Sequence, residues 1–275
     1  MEIAAPCSLL KQLIQRDLRI RYRSTLFGFF WSLSKPLTIT GLFYLVFEKL
    51  LPVRGSMAGI PAHVNYGIFL AVGIITWTFY SGSLLQGIHS YQVHSHLVSR
   101  ARFWRPVLPI SDVFSQWIHY LFAQMALLCL LFGMGAMTLS YKMAWVIPLT
   151  FLDLILAGMI TCICAGFQIL ARDTFQLLEL ALMVGFYAAP IIYPADLALG
   201  LLQVHGYGWL YLINPLVLLI SIRHSILLGM EMPHLGDQWF DMLLPALILF
   251  VELVVLGWIT YKMNRKVDRE LVDRL

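Results

Sequence analysis

Six apolar runs along the chain are each long enough, or nearly so, to cross a membrane as a helix. A spanning helix needs about 20 consecutive, mostly apolar residues. The third run is too long for one simple crossing, so we expect part of it to extend into the cytoplasm or to lie tilted. The predicted spans are residues 26–48, 66–88, 107–139, 145–170, 175–193 and 242–261.

The segment between the fifth and sixth runs, residues 194–241, has a different pattern. It is only moderately apolar, and prolines and glycines such as Pro194, Gly200, Pro215 and Gly229 interrupt it. Irregular backbone at membrane depth is tolerated only where protein or water covers its polar groups. The pattern therefore predicts short re-entrant helices on the outer side rather than a full crossing.

Residues 8–23 have the periodicity of an amphipathic helix, with an apolar face and a separate basic row. The apolar positions are Leu9, Leu10, Leu13, Ile14 and Leu18, and the row is Lys11, Gln15, Arg19 and Arg23. Such a helix is typical of the cytoplasmic membrane interface, and a disordered basic tail is the alternative. We therefore expect a single transmembrane domain, with an interface helix at 1–24 and a cytoplasmic tail at 262–275.

Composition agrees with this all-α membrane fold. The chain is 60% apolar and only 12% charged, with a mean hydropathy of +0.78. A soluble domain is about 45–50% apolar and 25% charged. The four cysteines lie near the start or inside apolar runs and predict neither a disulfide framework nor a zinc site.

The basic residues predict the orientation of the spans. With a cytoplasmic N-terminus, fourteen lysines and arginines lie on the cytoplasmic side and four on the outer side, while Lys35 lies inside the first span. Lysine and arginine are concentrated in cytoplasmic loops of membrane proteins. We therefore expect both termini in the cytoplasm.

Sequence motifs for nucleotide or nucleophilic chemistry are absent from the chain. It contains no GxxxxGK[ST] and no GxSxG, so any ATP has to be hydrolysed by a partner. His89, His94 and His96 are close together, but without nearby acidic or cysteine ligands they predict solvated loop histidines rather than a metal site. These absences weaken an enzyme interpretation.

Five stretches, taken in order, resemble the permease subunit of type 2 ABC exporters, in the branch that moves lipid-linked polysaccharides. They are RDLRIRYRSTLFGFFWSLSKPL (16–37), RFWRPVLPISDVFSQWIHY (102–120), ARDTFQLLEL (171–180), APIIYP (189–194) and NPLVLLISIRHSILLG (214–229). Each stretch is weakly specific by itself, but the ordered set covers nearly the whole chain.

The resemblance implies six spans per subunit, a homodimer, and two separate ATPase subunits that bind ATP and Mg. It implies export of a glycan on an undecaprenyl pyrophosphate carrier, of the O-antigen, capsule or teichoic acid type, across a bacterial inner membrane. No cofactor is expected in this chain. A permease for drugs or small lipids, and a membrane enzyme that acts on lipid-linked sugars, remain alternatives.

Two basic segments are expected to bind partners. Arg16, Arg19, Arg21 and Arg23 could hold the pyrophosphate headgroup, because arginine forks match phosphate oxygens; simple positive-inside anchoring is the alternative. By resemblance, the loop at about 90–106 contacts the ATPase, or else it is solvated with its rings on the headgroups. Its candidate interface residues are Arg100, Arg102, Phe103, Trp104 and Arg105.

Aromatic side chains are the expected lining of a sugar path, although most membrane aromatics only pack or lie at the interface. The candidates are Phe27, Phe30, Trp31, Phe43, Tyr44, Phe186, Tyr187 and Tyr193. Lys35 is expected either to face the path or to pair with Glu252, because a lysine at that depth needs a partner or water.

The segment around Asn214, Pro215 and Arg223 is the candidate outer gate. Pro215 can start a helix that Asn214 caps. Arg223 lies in an apolar segment and needs a partner or a water-filled vestibule, unless the segment lies flat on the membrane surface with Arg223 exposed.

Overall fold

A computed structural model of the chain describes residues 6–23, 30–50, 60, 64–100, 103–133, 141–204, 207–230 and 240–274. Within these ranges the regular structure is helical and no strand occurs. The helices are α1 Pro6–Tyr22, α2 Trp31–Tyr44, α3 Tyr66–Gly87, α4 Ser90–Val93, α5 Ser95–Arg100, α6 Val107–Gly133, α7 Val146–Leu170, α8 Thr174–Ala188, α9 Ala195–Val204, α10 Gly208–Leu212, α11 Pro215–Leu228 and α12 Phe240–Arg274. A π-helical turn, Leu45–Leu50, continues α2, and a 3₁₀ turn, Tyr141–Trp145, precedes α7.

Four helices in the described ranges are long and apolar enough to cross a membrane. They contain Tyr66–Gly87, Val107–Gly133, Met143–Leu170 and Ala246–Arg269. These helices confirm the multi-pass prediction in its coarse form.

The remaining two predicted spans correspond to the shorter helices α2 and α8. Helix α8 has 15 residues and ends at Ala188. The next residue, Ala189, is extended because Pro190 follows it, and a proline disfavours the helical conformation of the residue before it. The apolar run at 175–193 is therefore a helix only in its first part.

Helix α3 is the centre of the bundle and α12 lies at its edge. Within an 18-residue stretch of each helix, 78% of α3 is buried inside the protein, against 11% of α12. Helix α3 packs against α2, α6, α7, α8 and α11, whereas α12 packs mainly along α7. Because α3 is apolar on all sides, it has no lipid-facing stripe to orient it.

Helices α7 and α12 approach each other closely at Gly166. A Cβ atom at this position would lie 2.4 Å from Met263 Cγ, so only glycine fits without movement. Cys162, one turn earlier, is buried, but Gly158 has no atom within 4 Å of its missing Cβ. Gly158, Cys162 and Gly166 are small residues spaced four apart on α7. Within the chain, the close approach to α12 is therefore at Gly166 and not at Gly158.

The segment between α8 and α12 contains the short helices α9, α10 and α11. Asn214 caps α11 by accepting a hydrogen bond from the backbone N–H of Leu216 at 3.1 Å, and Pro215 is the first residue of that helix. Gly229 ends it with a left-handed backbone, φ 66°. Both ends of α11 therefore follow from local sequence signals, and the predicted cap is confirmed.

Helix α11 lies inside the bundle. Its residues Val217–Ile220 are fully buried, and it packs against α3 and α7. A surface position for this segment, which the sequence left open, is wrong because most of its side chains, including Arg223, are buried.

Candidate functional site

A buried ion pair joins α11 to α7. Arg223 Nη2 lies 2.6 Å from Asp153 Oδ2, and both side chains have no solvent exposure. Taking two charges out of water costs several kcal/mol per ion, which only close geometry and further hydrogen bonds offset. The geometry is close and other helices supply additional donors to the same carboxylate, whereas Arg223 Nε is buried without a hydrogen-bond partner among the described residues.

Three more side chains complete what we call the buried polar network. Tyr80 donates to Asp153 Oδ1 at 3.0 Å, and Tyr120 donates to Oδ2 at 2.9 Å. Arg223 donates to Thr76 Oγ1 at 3.0 Å, and its guanidinium carbon lies 5.5 Å from the centre of the Tyr120 ring. The network thus ties together α3, α6, α7 and α11 through directional contacts.

The neighbouring residue on α11, His224, makes a second contact with α3. Its ring stacks on Phe69 with centroids 4.2 Å apart, and its Nε2 lies 3.2 Å from the Phe69 carbonyl oxygen. The side chain is 3% exposed. Arg223 and His224 therefore hold α11 against α3 at adjacent positions.

Arg223 lies in an apolar segment and was expected to need a partner, and Asp153 is that partner. The alternative of simple surface exposure is wrong, because the side chain is completely enclosed. Asp153 lies inside the predicted span at 145–170, but the sequence gave it no partner. The available signal for this pair was an acidic residue in one apolar helix and a basic residue in another, because buried charges in membrane proteins pair with each other.

A second feature is a groove between α2, α3 and α8, which we call the aromatic groove. It has a volume of about 380 Å³ and carries one positive and one negative side chain among aromatic and aliphatic ones. The lining residues are Lys35, Trp77, Ser81, Leu85, Glu179, Leu182, Met183, Phe186 and Tyr187.

Helical spacing explains how three helices form this lining. Trp77, Ser81 and Leu85 are four residues apart on α3 and so lie on one face. Gly185 on α8 leaves room for the Trp77 ring, because a Cβ there would lie 2.9 Å from Trp77 Cη2. The Trp77 ring then meets Phe186 edge to face, with centroids 5.9 Å apart.

The structure brings together only some of the aromatic candidates. Phe186 and Tyr187 line the groove directly, and Phe43 packs behind Phe186 with ring centroids 5.6 Å apart. Tyr193 donates a hydrogen bond to the Tyr187 carbonyl oxygen at 2.7 Å. Trp77 is the groove aromatic that the sequence missed, although its spacing to Ser81 and Leu85 on an aromatic-rich helix was a signal.

The other aromatic candidates do not line the aromatic groove or lie outside the described residues. Phe30 is 68% exposed and meets Phe122 on α6 edge to face, so it is not among the groove residues. Tyr44 packs against the start of α3, where a Cβ on Gly67 would lie 3.0 Å from its ring. Phe27 and the side chain of Trp31 lie outside the described residues.

Lys35 lies in the aromatic groove and does not pair with Glu252. Both carboxylate oxygens of Glu252, on α12, are buried without a hydrogen-bond partner among the described residues. Helix α12 packs along α7, whereas Lys35 faces α3 and α8. The proposed Lys35–Glu252 pair is therefore wrong, and the acidic residue that shares the groove with Lys35 is Glu179.

Helix α1 confirms the predicted N-terminal helix, and its apolar face packs on the bundle. Leu13 is 4% exposed in an apolar cluster with Leu108, Ala165 and Val267. Helix α1 thus packs mainly against α6, and its apolar residues belong to one cluster with residues of α7 and α12.

A polar cluster of α1 with its neighbours adds directional contacts. Arg16 donates to Asp17 and to Nε2 of His94, and Arg21 donates to Gln86 at 2.6 Å. Gln86 in turn donates to Asp112 at 3.1 Å. Burial lowers the pKa of His94 below its usual value, which favours the neutral ring that accepts from Arg16.

The four arginines of α1 and the turn that follows it therefore fall into two pairs. Arg16 and Arg21 are engaged in contacts with the bundle, as described above. Arg19 and Arg23 are exposed, and within the described ranges neither forms an ion pair or a hydrogen bond. Arg19 and Arg23 are thus the ones open to an external anion.

The loop before α6 separates its two aromatic residues. Phe103 is half-buried in the apolar cluster that also contains Leu13, whereas Trp104 is 56% exposed. Arg105 donates to the Asp268 carbonyl oxygen at 2.8 Å and lies 3.5 Å from the Asp268 carboxylate. Arg102 and the side chain of Arg100 lie outside the described residues.

Curated proteins of similar sequence carry a common name. Two relatives from Klebsiella pneumoniae, each named "O-antigen export system permease protein RfbA", are 28% identical to this chain over 213 and 223 residues. The alignments cover 77% of this chain and 77% of the first relative, and 80% and 81% for the second.

A third relative, from Myxococcus xanthus, has the same name. It is 27% identical over 252 residues, which cover 91% of this chain and 88% of the relative. No family model matches the chain. The three relatives confirm the resemblance that the ordered motifs indicate.

The buried polar network yields a stability prediction. Asp153→Asn leaves the Arg223 charge buried without a counter-ion, and such a break costs about 3–5 kcal/mol. We expect this loss in SDS-induced unfolding of the purified chain in mixed micelles. The matched control is Asp268→Asn, which weakens the more exposed Arg105 pair and is expected to cost less than about 1 kcal/mol.

A double variant tests whether the two charges of the Arg223–Asp153 pair stabilise the fold together. Asp153→Leu with Arg223→Met removes both charges, so we expect it to be more stable than either single substitution. Strictly additive losses in this cycle would show that the two side chains act independently.

Proposed function

We propose that this chain is the membrane-spanning permease subunit of an ABC transporter that exports lipid-linked polysaccharide of the O-antigen type. The observation that carries the proposal is its similarity, over 77% to 91% of its length, to three permeases named for O-antigen export. The bundle of long apolar helices supports the same conclusion. Because the sequence has no Walker loop, we assign ATP and Mg binding to separate ATPase subunits.

We propose six spans per subunit, with both termini in the cytoplasm of an inner-membrane homodimer. Helix α2 and its π turn together cover residues 31–50, about 30 Å of helix at 1.5 Å per residue. Helix α8 is the short fifth span, and its outward apolar residues include Leu177, Leu180 and Val184. The buried position of α11 next to the middle of α3 supports a re-entrant helix.

The aromatic groove is the proposed wall of the sugar path. Trp77, Phe186 and Tyr187 offer flat apolar surfaces that pyranose rings can contact. Lys35 and Glu179 offer a cation and an anion for hydroxyl and phosphate groups in the same groove. The combination suits a polar, ring-shaped cargo better than a purely apolar one.

The cytoplasmic elements are the proposed places of substrate arrival and ATPase contact. Arg19 on α1 and Arg23 directly after it are exposed and suit a pyrophosphate headgroup. Helix α1 also contacts the loop at about 90–106 through Arg16 and His94. A movement of that loop by an ATPase would thus act directly on the headgroup helix, while α11 and its cap at Asn214 would form the outer gate.

Reconstitution tests the proposed function. The full chain is placed in proteoliposomes with its partner ATPase, ATP and a lipid-linked polysaccharide. We expect ATP-dependent appearance of glycan on the side opposite the ATPase, together with stimulation of ATP hydrolysis by the lipid-linked glycan. Turnover of the substrate by this chain without an ATPase would contradict the proposal, as would stimulation by small amphiphilic drugs alone.

Lys35→Gln tests the aromatic groove in the same assay. Loss of one hydrogen bond from a charged group, worth about 1.5–3 kcal/mol, predicts export slower by roughly tenfold or more. Lys49→Gln is the matched control, because Lys49 lies on the π turn that continues α2 and outside the groove. Lys35→Arg is expected to retain export, and equal rates for all the variants would remove Lys35 from the path.

The division of the α1 arginines yields a separate prediction. Arg19→Gln with Arg23→Gln is expected to weaken binding of polyprenyl pyrophosphate by about tenfold, because it removes charged donors to phosphate. Deuterium exchange of α1 should be unchanged in this variant. Arg21→Gln is expected to speed exchange in α1 because it breaks the contact with Gln86, and the reverse pattern would refute the assignment.

A further inference from the structure

A second groove lies at the polar end of the long helix α12, and the proposed export path does not use it. We call it the membrane-boundary groove. It has a volume of about 320 Å³ and runs between α12, α7 and the start of α6. Its lining includes Met159, Gly257, Tyr261, Asn264 and Arg265, together with Trp104 from the loop before α6.

The groove changes from apolar to polar along α12. Four of the lining residues lie on one face of the helix, because they are spaced by four, three and one residues. They are Gly257, Tyr261, Asn264 and Arg265. Gly257 and Met159 form the apolar end, while Asn264 and Arg265 form the polar end about 12 Å further along, at 1.5 Å per residue. An amphiphile lying along the helix would match this gradient.

Two cations near the polar end are held against aromatic rings that face outward; Arg265 lines the groove, whereas Lys262 lies beside it on the adjoining face of α12. The Lys262 ammonium lies 3.6 Å from the centre of the Trp258 ring, and the Arg265 guanidinium lies 4.7 Å from that of Tyr261. Both rings are more than half exposed, as expected of aromatic residues at a membrane boundary. Ring contacts of this kind fix the position of each cation.

The positive charge at this end is not cancelled by its neighbours. Asp268 also lines the groove, but its carboxylate and carbonyl both face Arg105. Among the described residues, neither Lys262 nor Arg265 forms an ion pair. The groove therefore combines an apolar floor with one available cation in its lining, Arg265, and a second, Lys262, one turn away at its edge.

Asn264 adds a hydrogen-bond acceptor beside these cations. Its Oδ1 atom is buried and has no partner within the described part of the chain. A phosphate with a hydroxylated headgroup satisfies both features, because the phosphate contacts the cations and a hydroxyl donates to the amide oxygen.

We propose that the membrane-boundary groove binds one molecule of phosphatidylglycerol from the cytoplasmic leaflet. Its phosphate lies between Lys262 and Arg265, its glycerol headgroup reaches Asn264, and one acyl chain follows Gly257 and Met159. Basic pockets between membrane helices on the cytoplasmic side recognise anionic lipids in this way. Because Trp104 and Arg105 join the groove to the loop before α6, the bound lipid fixes that loop against α12.

Native mass spectrometry of the purified full chain tests the site. Dioleoylphosphatidylglycerol is the probe and dioleoylphosphatidylcholine is the neutral comparison, each titrated into detergent micelles. We expect one phosphatidylglycerol per chain to be retained in preference to phosphatidylcholine. Equal retention of the two lipids would overturn the proposal.

Paired variants on α12 separate a specific site from general attraction to basic residues. Lys262→Gln with Arg265→Gln is expected to weaken binding about thirtyfold, because each basic residue near an anionic lipid contributes roughly fivefold. The matched control, Lys266→Gln with Arg269→Gln, changes the same charge on the same helix outside the groove and is expected to weaken binding less than threefold. Equal losses in the two variants would overturn the site.

A third variant fills the apolar end without a change in charge. Gly257→Leu has room to fold, because its Cβ would lie 3.6 Å from the nearest atom, Met159 Cε. We expect it to weaken lipid retention at least fivefold while the melting temperature stays the same. Unchanged retention would refute the acyl-chain position, and displacement of the lipid by equimolar polyprenyl pyrophosphate would assign the groove to that carrier instead.

Discussion

The contact between Arg223 and Asp153 fixes how four helices meet in the interior. A charge in an apolar interior has few acceptable positions, because each ion must recover the hydration that it lost. Here the carboxylate receives Arg223, Tyr80 and Tyr120, which come from α11, α3 and α6. A rotation or slide of any of these helices would leave a buried donor or acceptor without a partner, so the network specifies one arrangement.

The same constraint positions the aromatic groove. Thr76 and Tyr80 face the network, whereas Trp77 and Ser81 on the adjoining face of α3 line the groove. Helix α3 is apolar all round, so apolar packing alone does not choose its rotation. The hydrogen bonds at Thr76 and Tyr80 make that choice, and they thereby direct Trp77 towards α8.

The ionisable residues inside the bundle also bear on the choice between transport and catalysis. A membrane enzyme needs a free acid, base or nucleophile, but Asp153 is fully engaged with three donors. Glu252 is buried on α12, away from Lys35 and the aromatic groove. Lys35 and Glu179 line one groove together with aromatic rings, which is why the proposed sugar path is placed there.

The sequence by itself determined the membrane class, the long helices and the ends of several elements. Apolar runs predicted α3, α6, α7 and α12, because only a continuous helix satisfies the backbone in a membrane. The Asn214–Pro215 pair predicted the start of α11, because capping is a local interaction. Local signals also predicted the amphipathic α1 but not which of its arginines contact the bundle.

Tertiary structure alone decided which charges meet. Five charged residues are isolated in apolar segments: Lys35, Asp153, Glu179, Arg223 and Glu252. Their spacing in the sequence carries no information about which helices contact each other. The pairing follows from the rotation of each helix, which hydrogen bonds across the bundle set. For this reason Arg223 is joined to Asp153, 70 residues away, while Lys35 lines the same groove as Glu179 and does not meet Glu252.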